Sequence, residues 1–551
     1  MKEFIEKTKK EIIEHPIWRS MFRGGKWHNT PRDRAQHIIG NVWLHLHPAK
    51  LRKRAVRFTY TWGLGGLSFG LFFVLTISGL LLMFYYRPTV DLAYQDIKDL
   101  QFVVTLGSFW RNFHRWAAHL MVIITIFHMI RVFLTGSYKS PREFNWVVGT
   151  ILLVLTLLLS FSGYLLPWDQ IAIWAITVGS NMASNTPLLG AEGPFTITNM
   201  KNDARFMLLG GTYVGETALL RFYVLHCIAF PFLAGIFMIV HFWRIRKDGF
   251  SAAPLDLKNK NEEKVDVWPN LVVREYLYAM FVLALLIAWA ILVQAPLEEI
   301  ANLNVTPNPA KAPWYFLGLQ ELLVYFDPWI AGVVLPTLIV VGLMAIPYVD
   351  NNPGGVGFYS IKERPFANTF FLFGIALWFI LIAIGTFLRG PNWAWYWPWE
   401  NWLHHKPPPP PTWSLPNLLG STLMTLYFVG GALIPRFIKK EIPFKKYSYV
   451  GLGVITLSAL IFKFGLGSLY EKWTGQVIGW TQIVWIVFAS ALYYILGILL
   501  PQKYIRTLSW PRYIISMVFL LLTIGVLLKV GLRLGFNIKY IFSIPQFGFN
   551  I

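Results

Sequence analysis

The sequence predicts an all-α polytopic membrane protein with about eleven transmembrane helices, and three observations carry that prediction. Of 551 residues, 55% are apolar and only 14% charged, whereas soluble proteins carry roughly 25% charged residues. The apolar residues fall in runs of about 20, enough to cross a hydrocarbon layer of roughly 30 Å at about 1.5 Å per residue. Lysine and arginine gather in alternate loops, the asymmetry that orients a chain in a membrane.

Residues 1–57 read as a basic, partly amphipathic cytoplasmic lead-in. They carry Lys7, Lys9, Lys10, Arg52, Lys53, Arg54 and Arg57 but no short apolar core with a cleavage site. Spans are expected at about 60–85, 110–134, 145–166, 219–244, 273–294, 329–348, 367–388, 417–435, 447–465, 479–500 and 513–532, each bounded by charge, proline or glycine. Basic residues follow the second span (Lys139, Arg142), the fourth (Arg244, Arg246, Lys247) and the eighth (Arg436, Lys439, Lys440, Lys445, Lys446). The stretch 167–218 has only Lys201 and Arg205, and 295–328 only Lys311. The N-terminus is therefore expected inside and the C-terminus outside, in a cytoplasmic membrane of bacterial type.

The stretch 389–416 holds Trp393, Trp395, Trp397, Trp399 and Trp402 ahead of the run Pro407 to Pro411. Clustered tryptophans suit the headgroup region, and consecutive prolines make a stiff spacer. This segment is read as an outer-face linker before a C-terminal module, 417–551. The net charge of +21, from 49 basic and 28 acidic residues, needs no nucleic acid as partner, because anionic lipid suffices. The single cysteine, Cys227, excludes an internal disulfide, a cysteine-rich metal site and a CxxCH haem attachment.

The second span contains His114 and His128, and the fourth His226 and His241. At about 100° per residue, fourteen steps leave an offset of about −40° and fifteen about +60°, so each pair points broadly to one side of its helix. The two helices run in the same direction. Neighbouring helices would then present His114 with His226 at an outer level and His128 with His241 at an inner one. Two opposed imidazoles supply both axial positions of a low-spin haem iron, which points to two non-covalent b-type haems and to electron transfer. Taken singly, each histidine also fits an interhelical hydrogen bond. Gly65 and Gly79 on the first span, and Gly149 and Gly163 on the third, repeat the fourteen-residue step; they would make room for a porphyrin edge, or simply permit tight packing. Arg111 and Arg115 flank His114, and Arg131 follows His128 by one turn. Their guanidinium groups are candidates for pairing with haem propionates, or for anchoring at the interface.

The strings FYYRPTV (84–90), the R-x-x-H-R-W of Arg111 to Trp116, S-P-R-E (140–143), GYLLPWDQ (163–170) and R-F-Y-x-L-H (221–226) resemble cytochrome b of Rieske-type quinol-oxidising complexes, most closely the b6 branch. The resemblance is dense from about 58 to 255. A weaker one runs through WPN (268–270) and PWYF (313–316) to about 388 and is similar to the partner subunit called subunit IV. It divides the chain into a dihaem four-helix part (58–255), a three-helix part (256–388), the linker (389–416) and an extension of unknown role (417–551).

The resemblance implies quinol oxidation at the outer face. One electron would pass to a Rieske iron–sulfur protein and on to a c-type cytochrome or equivalent acceptor. The other would cross the two haems to a quinone at the inner face, in a homodimer drawing on the membrane quinone pool. Tyr164, Trp168, Trp314 and Tyr315 would wall the outer quinol site, between 163–174 and 313–316, though interfacial aromatic belts use the same residue types. Relatives read Pro-Glu-Trp-Tyr where this chain reads Ala312-Pro313-Trp314-Tyr315, so the glutamate that takes a quinol proton is replaced by proline. Glu321 is the candidate substitute, with Glu298 and Glu299 behind it. The b6 branch carries a further covalent haem on a cysteine; the matching position here is Gly63, so none is expected. Cys227, next to a ligand, is read as a packing residue. Arg246 matches a basic residue near the inner quinone, and His45 and His47 are candidate proton donors there. Two rivals remain: a dihaem anchor serving another dehydrogenase or reductase without bifurcation, and a transporter or scaffold whose histidines only pack.

Overall fold

The structure is a computed structural model and describes residues 2–21, 30, 50–251, 263–404, 406–407, 411–438, 443–475 and 477–551. His45, His47, Lys439, Lys440 and part of the proline run lie outside the described residues. Among those described, eleven helices are long and apolar enough to cross a membrane: Leu64–Met83, Gly107–Leu134, Glu143–Tyr164, Glu216–Asp248, Val272–Leu292, Trp329–Val349, Pro365–Phe387, Asn417–Phe437, Phe444–Gly465, Trp480–Tyr504 and Trp510–Phe536. The protein is an all-α integral membrane protein. The fourth helix outruns its apolar window because Arg246 and Lys247 can continue the backbone ladder while their charged ends reach past the hydrocarbon.

Two compact units are present. The first comprises 1–178, 206–306 and 339–364; the second comprises 179–205, 307–338 and 365–551. In the first unit, the second span packs on the first and the fourth on the third. Leu67, Leu71, Phe113, Ala117, Leu286 and Ala290 form a core among the first, second and fifth spans. A short antiparallel ladder joins Lys50–Arg52 to Lys264–Asp266. Arg244, fully buried, pairs with Asp248 at 3.1 Å and donates to the carbonyls of Ser20 and Met21, which pins the short helix Pro16–Met21 to the end of the fourth span.

In the second unit, the short helix Trp314–Leu322 packs along the seventh span. Val526 and Val530 of the last span close the same core as Leu322, Tyr325, Trp329 and Leu377, with Phe549 packed against it. The C-terminal extension thus shares a core with the segment that carries the PWYF motif. No sequence signal marked this, because the contacts join residues some two hundred positions apart.

Candidate functional site

The second and fourth spans bring their histidines together at two levels. The rings of His114 and His226 lie 6.3 Å apart, centre to centre, and those of His128 and His241 6.5 Å apart, with planes crossed by 78° and 76°. An imidazole–metal bond of about 2.0 Å on each side, with roughly 1.1 Å from nitrogen to ring centre, gives a spacing of about 6 Å. Each pair is therefore spaced for one metal ion between two rings. Among the described residues no group of three or more His, Cys, Asp or Glu gathers in one place. Each level therefore offers two protein ligands, the number that a bis-histidine haem site uses.

The unequal spacing is resolved in the backbone. Leu225–Ala229 forms a π-helical turn, which accommodates one extra residue per turn. Fifteen residues between His226 and His241 then advance the helix about as far as the fourteen between His114 and His128. Second partners orient the outer rings: Nδ1 of His114 lies 2.8 Å from Ser78 Oγ, and Nδ1 of His226 lies 3.0 Å from the Leu159 carbonyl oxygen. That arrangement leaves Nε2 for a metal. Nδ1 of His128 and of His241 is buried without a hydrogen-bond partner.

Each of the four glycines faces one of the four histidines. A Cβ at Gly79 would meet His114 Cε1 at 3.2 Å, and one at Gly163 would meet His226 Cε1 at 2.5 Å. At the inner level, Gly65 faces His128 at 3.1 Å and Gly149 faces His241 at 3.6 Å. The outer pair of glycines thus serves the outer histidines and the inner pair the inner ones. The histidine rings themselves stand against these backbones. Gly63 stands at φ +61°, and a Cβ there would meet the Tyr278 ring at 2.6 Å.

The arginines divide. Arg111 is buried and donates to the carbonyls of Ala295 and Pro296 at 2.8 and 2.7 Å, which ties the second span to the loop after the fifth. Arg115 lies over the Tyr164 ring at 4.6 Å and donates from Nε to His119 Nε2 at 3.2 Å. Arg131 lies over the Tyr60 ring at 5.3 Å, its Nε buried and without a partner. Arg246 is half-buried near the end of the fourth span. Cys227 is a free thiol, half-buried within the π turn.

At the end of the third span, Asp169 accepts from the backbone N–H groups of Ala172 (2.9 Å) and Glu298 (3.1 Å). Burial pushes its carboxyl above the usual range, against the pull of those two donors. Glu298 and Glu299 are exposed. In the second unit, Pro313 precedes the first turn of the helix Trp314–Leu322, and the rings of Trp314 and Tyr315 meet edge to face at 5.3 Å. Glu321 is fully buried and already engaged. Arg389 clamps it at 2.6 to 3.2 Å, Tyr325 donates to it at 2.6 Å, and Trp393 Nε1 donates at 3.1 Å. Burial works to lower Arg389, but Glu321 and Tyr325 outweigh it and hold the guanidinium above its usual range. Arg389, Tyr325 and Trp393 thus surround the carboxylate that the sequence offered as the candidate substitute for the missing glutamate.

Comparison with known proteins agrees with this geometry. Residues 51–249 match the family described as Cytochrome b/b6/petB, and residues 300–399 match Cytochrome b(C-terminal)/b6/petD. Cytochrome b6 of Gracilaria tenuistipitata var. liui is 42% identical over 188 residues, 34% of this chain and 82% of that protein. Cytochrome b6 of Heliomicrobium gestii is 40% identical over 188 residues, 34% of this chain and 83% of that protein. A solved structure described as Hyperthermophilic respiratory Complex III has a similar fold, with a TM-score of 0.54 at 23% identity over 65% of this chain and 89% of that one. Matched over most of the length of such relatives by the stretch that holds all four histidines and their four glycines, the chain belongs to the cytochrome b/b6 family.

Proposed function

We propose that this chain is the dihaem electron-transferring subunit of a quinol-oxidising complex of the Rieske/cytochrome b type. One observation carries the reading: two histidine pairs, each at the separation of two ligands on one metal, stacked along the same two helices. His114 with His226, and His128 with His241, would hold two b-type haems, which supply reversible one-electron chemistry with both axial positions filled.

The chain's own residues do the rest. Ser78 and the Leu159 carbonyl fix the outer rings, while Gly65, Gly79, Gly149 and Gly163 let imidazoles approach the backbone. Arg115 and Arg131 bring positive charge to the outer and inner levels, suited to anionic propionates. Tyr164 in the first unit, and Trp314 and Tyr315 in the second, would each offer aromatic surface to a quinol, and Arg246 would offer charge to a quinone at the inner side. Quinol would give one electron to a Rieske protein, and through it to a c-type cytochrome or equivalent, and the other to the haems. With Pro313 in the glutamate position and Glu321 locked to Arg389, Asp169 is the better outer proton acceptor. Those same two departures favour a second reading, a dihaem anchor that exchanges electrons with another redox partner without bifurcation. A Rieske-type signal that copurifies with the chain decides for the first reading.

Anaerobic redox titration with haem quantification tests the core of the proposal. Two low-spin b centres per chain are expected, with His226→Ala abolishing one and His128→Ala the other. Loss of neither, or a stoichiometry far from two, overturns it.

A further inference from the structure

The C-terminal extension carries a large share of the positive charge. Residues 417–551 hold thirteen lysines and arginines against two carboxylates, Glu441 and Glu471, a net +11 and more than half of the chain's +21. Eight of the thirteen lie in two short stretches, 436–446 and 503–512, which join the eighth span to the ninth and the tenth to the eleventh. Orientation in a membrane asks only that such residues stand in loops of one side. It does not ask that the loops be tied together, and here they are. Arg436 Nη1 donates to the carbonyls of Arg506 and Leu508, the latter at 2.7 Å, and Arg506 Nη1 donates back to the Ile438 carbonyl at 3.1 Å. Lys503, in the last turn of the tenth span, lies 5.5 Å over the Phe444 ring at the start of the ninth.

This clasp brings like charges together with no described carboxylate among them. Among the described residues the ammonium groups of Lys445, Lys446 and Lys503 make no hydrogen bond and no ion pair, and all three side chains are exposed. Glu471 stands beyond the far end of the ninth span, and Glu441 lies outside the described residues. Like charges beside an apolar surface repel one another more strongly than in water, so an anion at the same level lowers the cost of gathering them. Depth says what kind of anion. Exposed Trp510, Tyr504 and Tyr447 stand at the same end of the helices, the residue types that settle at the headgroup level. Arg436 lies 4.7 Å over the Trp510 ring. Exposed Phe437 and Ile514 flank the cations on the eighth and eleventh spans, an apolar surface suited to acyl chains.

We propose that this end of the extension is a binding site for the headgroup of an anionic phospholipid. Lys445, Lys446 and Lys503 hold its phosphodiester oxygens, while the crossed hydrogen bonds of Arg436 and Arg506 keep the two loops at the spacing that lets them act together. The acyl chains lie along Phe437 and Ile514. A bound lipid of this kind would bridge the eighth and ninth spans to the tenth and eleventh, and so add to the cohesion of the second unit. The proposal is independent of the dihaem reading, because every residue it uses belongs to the extension.

The test uses the purified full-length protein in detergent, freed of native lipid by washing. Phosphatidylglycerol and phosphatidylcholine of the same acyl chains are titrated separately, with bound lipid counted by native mass spectrometry and thermal unfolding followed in parallel. The parent should bind phosphatidylglycerol in preference and unfold at a higher temperature with it, an effect that weakens as salt is raised. Each lysine near a charged headgroup contributes roughly fivefold in affinity, so Lys445→Gln, Lys446→Gln and Lys503→Gln combined should lose on the order of 100-fold. A charge-matched control, Lys98→Gln, Lys201→Gln and Lys472→Gln combined, should keep the preference. No preference in the parent, or one that survives in the first triple variant or is lost equally in the control, overturns the proposal. Inorganic phosphate that stabilises the parent as well as phosphatidylglycerol does overturns it too, since the site would then hold a free anion. Should the triple variant fail to accumulate, Lys503→Gln alone should lose about fivefold, and an unchanged affinity there counts equally against it.

Discussion

Gly163 and Gly149 occupy matching places on the third span, yet their surroundings predict opposite tolerance. A methyl group at Gly163 would stand 2.5 Å from His226 Cε1, far inside contact distance, whereas at Gly149 it would stand 3.6 Å from His241 Cε1, an ordinary contact. Gly163→Ala should therefore push His226 off its position and remove the outer b centre, while Gly149→Ala should keep both centres; spectra and haem content of the two variants decide this. Glu321 predicts a stability effect in place of a catalytic one. Removing one partner of a buried ion pair leaves the other charge uncompensated and costs about 3–5 kcal/mol, so Glu321→Ala should strand Arg389 and lower unfolding stability by that order. Equal stability of variant and parent in denaturant titration would contradict this. At this scale the histidines were legible because a period can be counted along one chain. The fate of Glu321 was not, since Arg389 and Trp393 reach it from 68 and 72 positions away.

The fourth helix shows how an element absorbs what its sequence makes irregular. With fifteen residues between ligands, a plain α-helix would turn His241 by about 100° relative to a fourteen-residue step. The π turn Leu225–Ala229 takes up that residue and leaves both rings aimed at the second span. Deleting Ile228, an exposed side chain inside the turn, should convert it to α-helix and preserve both b centres. Deleting Ile236, exposed on the plain α-helical stretch that follows, should rotate His241 away and abolish the inner centre alone. Two variants that behave alike would refute this account of the spacing. Span positions were readable because about 20 apolar residues in a row have few alternatives. The π turn was not, because its composition is that of any membrane helix and only the mismatch of fourteen with fifteen betrays it.

At the scale of the whole molecule, the C-terminal extension acts as structural completion of the second unit. Apolar side chains gain little from leaving lipid for a helix interface, so association in the membrane depends on close packing and polar contacts. The extension supplies both to the segment that leads into the sixth span. Tyr540 donates to Asp327 Oδ1 at 2.8 Å and Asn550 donates to Oδ2 at 2.9 Å, while the Phe549 ring lies 5.0 Å from that of Trp329. Burial, reinforced by the Asp327 carboxylate, pushes the Tyr540 phenol well above its usual range, so it stays a donor at any neutral pH. Lys529, 2% exposed within the last span, gives its ammonium to the Lys539 carbonyl at 2.5 Å, which folds the chain after that span back onto it. A chain ending at residue 416 loses all of these contacts together. Its 323–328 stretch should become susceptible to limited proteolysis, because Asp327 would keep neither side-chain donor. All four histidines and their glycines lie in the first unit, so the same truncated chain should retain two b centres with unchanged spectra. Intact protection of 323–328 would show that the extension does not hold that segment, and loss of a b centre would show that it reaches the dihaem helices as well.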